Sequence, residues 1–449
     1  MQKIRSISVT AFYIVIVISC FSCKKYLAEK TNKKLVVPAT LQDATAMMDT
    51  YDLLARYYPS MPIESDDDCF FTDNYLNTAN LFVRGNYVWE KEIYNDQEWV
   101  YAYQVVLNSN IVLQTLDNIP VNAGNVAEWN RVKGSALLFR AYAFYHVAQS
   151  YAAPYFKTTA AQQLGIPLRL DPDINSVSVR SSLEQTYRQI ISDLDASVTV
   201  LPVQTSIVSR PNKAAAFGLL ARTYLAMGDY PNAKLNADSC LSYKSTLIDY
   251  NTLNSAAANP LSVFNSEVIL PSSLYVILNP PDMKIDSLLM TSYSTNDLRK
   301  SIFFQLNAGQ YNFKGSYNGD PTAFSGIAVD EIYLTRAECN ARMGNKDAAL
   351  ADLNTLLIKR FKTNTFVPVT ATDANDALIK ILMERRKELV QRGTRWTDLR
   401  RLNADPAFAK TLTRIINGQT YILPPNDPRY TMYFPLRVIA QSGMQQNVR

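Results

Sequence analysis

The chain has 449 residues, 47% of them hydrophobic and 11% aromatic, with 45 basic side chains against 40 acidic. That is ample apolar material for a core, and a formal charge of +5 over such a length is no nucleic-acid signature. One histidine and five scattered cysteines exclude most zinc chemistry, His-based triads and a disulfide framework.

Lys3 and Arg5 precede an apolar run from Ile7 to Ile18, which ends in Ser19-Cys20-Phe21-Ser22-Cys23 and then Lys24-Lys25. About a dozen apolar residues make a signal-peptide core and fall short of the roughly 20 that span a bilayer. Small residues before a cysteine read as a lipoprotein cleavage site, so residues 1–22 are expected to be removed and Cys23 acylated, with Cys20 the alternative. Removal leaves 43 basic against 40 acidic side chains. Residues 23–40 would then form a lipid-tethered linker, and residues 41–449 one folded domain.

Thr40-x-x-Asp43 offers a capping box to a helix reaching about Tyr58. The stretch Pro59–Tyr94 is rich in turn formers and is expected to be an irregular insertion. Asn95-x-x-Glu98 opens a second helix, with Trp99, Tyr103, Val106, Asn110 and Leu113 along one face. A third runs from about Val126 to Tyr151 and a fourth from Leu183 to Val200, with Ser181 and Glu184 at its start. Ala221, Tyr224, Gly228, Tyr230, Ala233 and Ala237 then have the spacing of a tetratricopeptide (TPR) helix pair, and Ala337, Gly344 and Ala349 repeat its offsets. Between them lies a second insertion, about 246–327, with short strands expected at Glu267–Leu270 and Tyr275–Leu278; a third follows Asn403. The helical scaffold is thus expected at about 41–58, 95–245 and 328–403, and the irregular segments at about 59–94, 246–327 and 404–449.

Near the end stands Glu384-Arg-Arg-Lys-Glu-Leu-Val-Gln-Arg-Gly393-Thr-Arg-Trp-Thr-Asp-Leu-Arg-Arg401. This stretch resembles the C-terminal signature of the SusD/RagB group of nutrient-binding lipoproteins of Bacteroidetes-type outer membranes. Further similarity lies in Cys23-Lys-Lys-Tyr-Leu, Ser65-Asp66-Asp67, Arg140-Ala141, Arg210-Pro-Asn-Lys-Ala-Ala, Asp297-Leu-Arg299 and Tyr433-Phe-Pro. Arg392 and Thr394 depart from it, standing where an acidic residue and a histidine are expected beside Gly393. The resemblance implies a mainly α, TPR-like helical scaffold (a SusD-like fold) with long irregular insertions and a few short strands. It implies a non-catalytic, surface-exposed lipoprotein of the outer membrane that captures an oligosaccharide for a SusC-like TonB-dependent transporter. A peptide ligand, as in the RagB branch, is the alternative, and an all-helical glycoside hydrolase a remote one. No cofactor or metal is implied.

Within the signature, Glu384, Arg385, Glu388, Gly393, Arg395, Trp396, Asp398 and Arg400 read as structural: charges four apart pair along a helix, Gly393 ends it, and Trp396 folds onto the scaffold. Sugar capture needs aromatic faces with hydrogen-bonding side chains beside them. Trp99, Trp129 and Trp396 fall in scaffold segments, leaving Trp89 in the first insertion. Trp89, Tyr87, Asn86 and Arg84, flanked by Asp66 and Asp67, are therefore the expected ligand site, with Tyr275, Tyr311 and Tyr317 from the second insertion. Asp66-Asp67-Asp68 lacks calcium-loop spacing and reads as a loop anchor, and His146 as a helix histidine.

Overall fold

Among the described residues ten helices carry the architecture, most of them begun where the sequence supplies a cap or a turn. The computed structural model describes residues 38–275 and 282–449. Helices α1 (Leu41–Met48), α2 (Asp96–Asp117), α3 (Val126–Tyr151), α4 (Leu183–Val200), α5 (Lys213–Ala226) and α6 (Tyr230–Tyr243) are followed by α7 (Val329–Arg342), α8 (Lys346–Leu357), α9 (Ala374–Glu388) and α10 (Thr394–Leu402). Thr40 and Asp43 close the expected capping box on α1. On α4 the box is set one residue later than expected, between Ser182 and Gln185. Asn95 caps α2 through its own side chain, while Glu98 is buried and serves another purpose.

Neighbouring helices pack in order from α2 to α8, and α9 lies against α7. The TPR spacing is realised in α5–α6 and α7–α8, where Ala221, Ala233, Ala237, Ala337 and Ala349 are fully buried between helices. Gly228 and Gly344 take left-handed conformations between the paired helices. Helices α6 and α7 touch directly although the second insertion separates them in sequence. The feet of that insertion are tied by strand β4 (Val268–Leu270) pairing antiparallel with β8 (Ile327–Ala328). The fold is mainly helical with few short strands, as the resemblance implied.

The insertions are less irregular than expected. The first contains helical turns at Met61–Ser65, Asp73–Thr78 and Leu81–Tyr87 and strand β1 (Cys69–Phe71). Strand β1 joins β5 (Met283–Ile285), β7 (Gln310–Phe313) and β6 (Phe304–Asn307) of the second insertion in one antiparallel sheet, ordered β1-β5-β7-β6. Phe303, Phe304, Tyr317, Phe324 and Ile285 give the second insertion its own apolar core. The third holds the hairpin β9 (Leu412–Ile416) and β10 (Gln419–Leu423). Strands β2 (Leu164–Pro167) and β3 (Arg180–Ser182) form a small pair before α4.

Among the described residues no helix is long and apolar enough to cross a membrane. The lipidation residues Cys20 and Cys23, residues 1–22, most of the linker and most of the proposed strand Tyr275–Leu278 lie outside the described residues.

Candidate ligand-binding surface

The expected site in the first insertion is a core. Trp89 is 1% exposed. It sits in a left-handed turn (φ 59°) just past the Leu81–Tyr87 helix, and its Nε1 donates to the Ser65 carbonyl at 2.9 Å. Asn86 is fully buried: its amide donates to Met61 O and Glu64 Oε2, and its Oδ1 accepts from Ser65 Oγ. Tyr87 is buried with its hydroxyl on the Phe71 amide. Over both rings lies Arg414 of β9, its guanidinium carbon 3.5 Å from the Tyr87 centroid and 4.7 Å from that of Trp89. Arg414 donates to the carbonyls of Glu64, Asp66 and Tyr87, so the C-terminal hairpin seals the segment. Both aromatic faces are therefore closed to a sugar.

The acids are engaged as well. Buried Asp66 accepts from the Asp68 amide, anchoring the loop. Asp67 receives Arg395 at 2.6 and 2.9 Å and Lys410 at 2.6 Å, with Arg386 at 3.4 Å. Those cations outweigh its burial and hold its carboxyl well below the usual range. Tyr317 is 1% exposed, with its hydroxyl hydrogen-bonded to Glu267 and 3.0 Å from Asp330 Oδ2. Of the nine expected ligand residues, Arg84, Asp67, Tyr275 and Tyr311 are half-buried, and Asp67 is occupied by its cations.

Two buried carboxyls of this segment's surroundings, Glu64 and Glu98, have unusual titration. Burial raises Glu64 to about 8, against the lowering effect of the Asn86 hydrogen bond. Burial likewise raises Glu98 to about 7, although it accepts from Ser60 N, Ser60 Oγ and Met61 N. Between the ordinary carboxyl range and these values the folded chain holds more protons than the unfolded one, so stability falls as pH rises through 7 and 8. Glu338, lowered to about 2 by Arg401 despite burial, acts oppositely, its contribution being lost as pH falls through that value. The melting temperature is therefore expected to peak near pH 5 and to decline toward pH 8.5. Glu64→Gln should flatten that alkaline decline; an unchanged slope between pH 6.5 and 8.5 would contradict the assignment.

A partly exposed aromatic surface is built from different residues. Backbone pairing of Ala55–Tyr58 with Ser273–Tyr275 creates it: Ser273 N donates to Ala55 O, Tyr58 N to Ser273 O, and Tyr275 N to Tyr58 O. Tyr58 turns inward against Tyr142 and His146. Tyr57, left-handed at φ 70° and 38% exposed, turns outward. Its ring meets Tyr101 of α2 at 5.3 Å and Tyr275 at 6.1 Å, and those two lie 5.6 Å apart. Arg56 stands 5.6 Å from the Tyr57 ring and pairs with exposed Asp52. Close by in sequence, Tyr51 packs edge-on against exposed Phe264. Three mutually supporting rings flanked by a guanidinium and a carboxylate form a surface on which a sugar ring can stack and hydrogen-bond. Tyr101 was visible in the sequence as an aromatic off the Trp99–Val106 core stripe of α2; nothing local marked Tyr57.

The signature is structural, though its pairing differs from the expected ladder. Lys387 and Glu384 make an intrahelical pair. The principal partners are elsewhere: Arg299 reaches Glu384 at 2.6 Å and Glu388 at 3.0 Å, and Arg360 reaches Glu388 at 2.6 Å. Arg385 pairs with Asp398, Arg400 caps the carbonyls of Gln149 and Ala152 at the end of α3, and Trp396 Nε1 donates to Tyr430 O. Helix α9 ends at Glu388, before the glycine. Gly393 instead precedes α10 at φ 69°, and a Cβ there would stand 2.8 Å from Leu274. A side chain would therefore push on the residue next to Tyr275.

A family model described as starch-binding and associating with the outer membrane matches residues 25–225, and the SusD family model matches residues 327–436. The chain belongs to the SusD/RagB family. No curated protein sequence matches it. Solved structures share the SusD-like fold. A SusD superfamily protein from Bacteroides thetaiotaomicron is 22% identical over 91% of this chain and 100% of its own, with a TM-score of 0.74. A sugar-binding protein, so described provisionally, from Bacteroides vulgatus is 21% identical over 92% and 99%, with a TM-score of 0.73. Surface glycan-binding protein A from Bacteroides uniformis is 15% identical over 91% and 98%, with a TM-score of 0.68.

Proposed function

We propose that this SusD-like protein is a non-catalytic outer-membrane lipoprotein that captures an extracellular oligosaccharide on Tyr57, Tyr101 and Tyr275. It would be cleaved after residue 22, acylated on Cys23, tethered through residues 23–40, and would pass its ligand to a SusC-like TonB-dependent transporter. The observation that carries the ligand assignment is the cluster of exposed Tyr57 with half-buried Tyr101 and Tyr275 beside Arg56 and Asp52. Membership of a family with starch-binding and glycan-binding relatives supports the ligand class. Tyr275 is retained from the sequence expectation; Tyr311 and Arg84 have no place in the cluster.

The test is calorimetry of the soluble chain, begun at Lys24, against a panel of neutral oligosaccharides. Tyr101→Ala should weaken a saturable glycan hit by roughly tenfold, the order of one lost stacking contact. Its melting temperature should stay within a few degrees of the parent's, because Tyr101 is only half-buried. Unaltered affinity in both Tyr101→Ala and Tyr57→Ala would remove the cluster from the site. Binding to peptides with silence toward glycans would replace the ligand class.

A further inference from the structure

Left-handed backbone is costly for a bulky side chain, so an aromatic residue held there needs a reason. Among the described residues the aromatics with positive φ are Tyr57 (70°), Trp89 (59°) and Phe264 (56°). Trp89 is buried, and its packing supplies the reason. Tyr57 and Phe264 are instead 38% and 37% exposed, and neither joins a buried apolar core. Glycine or asparagine would take the same conformation at less cost. What an aromatic adds at each position is a ring at the surface.

Both rings adjoin one short stretch of chain. Tyr57 follows the helical turn Tyr51–Leu54, and Tyr51, the first residue of that turn, meets Phe264 edge-on at 5.6 Å and 67°. Arg56 pairs with Asp52 at 3.2 Å and stands 5.6 Å from the Tyr57 ring, and its charge also reaches the Tyr51 hydroxyl. Asp52 and Asp320 act on that hydroxyl as well. The loop bearing Phe264 is backed by the one bearing Asp320: a Cβ on Gly319 (φ 70°) would stand 3.0 Å from Val263 N. Rings with Asp52, Arg56 and Asp320 beside them repeat the chemistry of the Tyr57 cluster.

We propose, on the glycan reading above, that Tyr51 and Phe264 form a second stacking subsite that shares the Asp52–Arg56 pair with Tyr57, Tyr101 and Tyr275. A disaccharide seated on the Tyr57 cluster leaves Phe264 uncovered, whereas a longer neutral chain stacks on both sets of rings. The surface therefore selects for chain length. The left-handed strain at Phe264 is the cost of holding that second ring where the longer chain runs.

Calorimetry of the same soluble chain tests this with the disaccharide and hexasaccharide of each neutral series in the panel, maltose and maltohexaose among them. In whichever series binds, the parent should hold the hexasaccharide more tightly. Phe264→Asn should weaken the hexasaccharide roughly tenfold and change the disaccharide by less than about twofold. It should melt at or slightly above the parent's temperature, because asparagine is at ease in the left-handed region. Phe264→Tyr should keep the hexasaccharide affinity. Equal losses at both lengths, no loss at either, or a melting temperature several degrees lower would each overturn the subsite. Any of these would leave the Tyr57 cluster standing so long as Tyr101→Ala still weakens binding. Silence toward every neutral glycan would remove the glycan reading and the subsite together.

Discussion

Arg360→Met is expected to destabilise the fold by about 3–5 kcal/mol, the usual consequence of removing one partner from a buried ion network. Arg360 is fully buried and has no water to fall back on. It donates to Glu388 at 2.6 Å, to both oxygens of Glu267 at 2.9 and 3.0 Å, and to the Ile248 carbonyl at 2.9 Å, with the Tyr250 ring 3.9 Å from its centre. Methionine would fill much of the volume while leaving Glu267 without a guanidinium and Glu388 with Arg299 alone. Glu267, already pushed up to about 7 by burial, would then take a proton at neutral pH, and the penalty should shrink as pH is lowered. Arg188→Met makes the control, since its pair with Glu184 is exposed and worth little. Urea melts of both at pH 5 and pH 7.5 check the comparison; a loss below 1 kcal/mol for Arg360→Met would mean that this network does not hold the second insertion to the scaffold.

The contrast between those arginines explains which parts of the fold were legible. Helix existence is written in local periods and caps: Thr40 with Asp43, the apolar stripe of α2 and the small residues of α5–α6 each act within a few residues. Those features survived folding with shifts of one residue or none, but the helix opened by Thr40 stops at Met48 rather than near Tyr58, a separate short turn of helix following at Tyr51–Leu54. The charges of Glu384–Arg401 look local too, and an intrahelical ladder was the natural expectation. Their strongest partners instead sit far away at Arg299 and Arg360, because burial makes a guanidinium seek whichever carboxylate the fold supplies. Pairing in a desolvated network is decided by topology.

The site failed to read for the same reason. Polar, aromatic and turn-forming residues in a long segment resemble an exposed loop until a distant element covers them. Arg414 covers Tyr87 and Trp89, and Arg395 and Lys410 neutralise Asp67, each more than 300 residues away in sequence. Conversely, Tyr57 became exposed through backbone pairing with Ser273–Tyr275, which no local pattern at Tyr57 could announce. A half-buried helix face offered a better clue than any loop: Tyr101 lies off the stripe that α2 turns to the core.

Trp89→Ala is accordingly expected to cost about 3–5 kcal/mol of stability, the effect of removing a large buried aromatic rather than a residue of the ligand site. The indole is among the largest fully buried side chains, and its removal leaves a cavity between the Met61–Ser65 turn and β9. The Ser65 carbonyl loses its donor, and Arg414 loses one of the two aromatic faces that offset its burial. The damage should spread to the C-terminal hairpin, so hydrogen exchange at residues 412–423 should quicken more than in α5–α6. Ligand affinity of the fraction still folded should change little, since Tyr57, Tyr101 and Tyr275 do not rest on Trp89 through any ring contact. Paired with Tyr101→Ala, this variant separates scaffold from surface: one should lose stability and keep binding, the other the reverse. A Trp89→Ala protein that melts like the parent but no longer binds glycan would return the site to the first insertion.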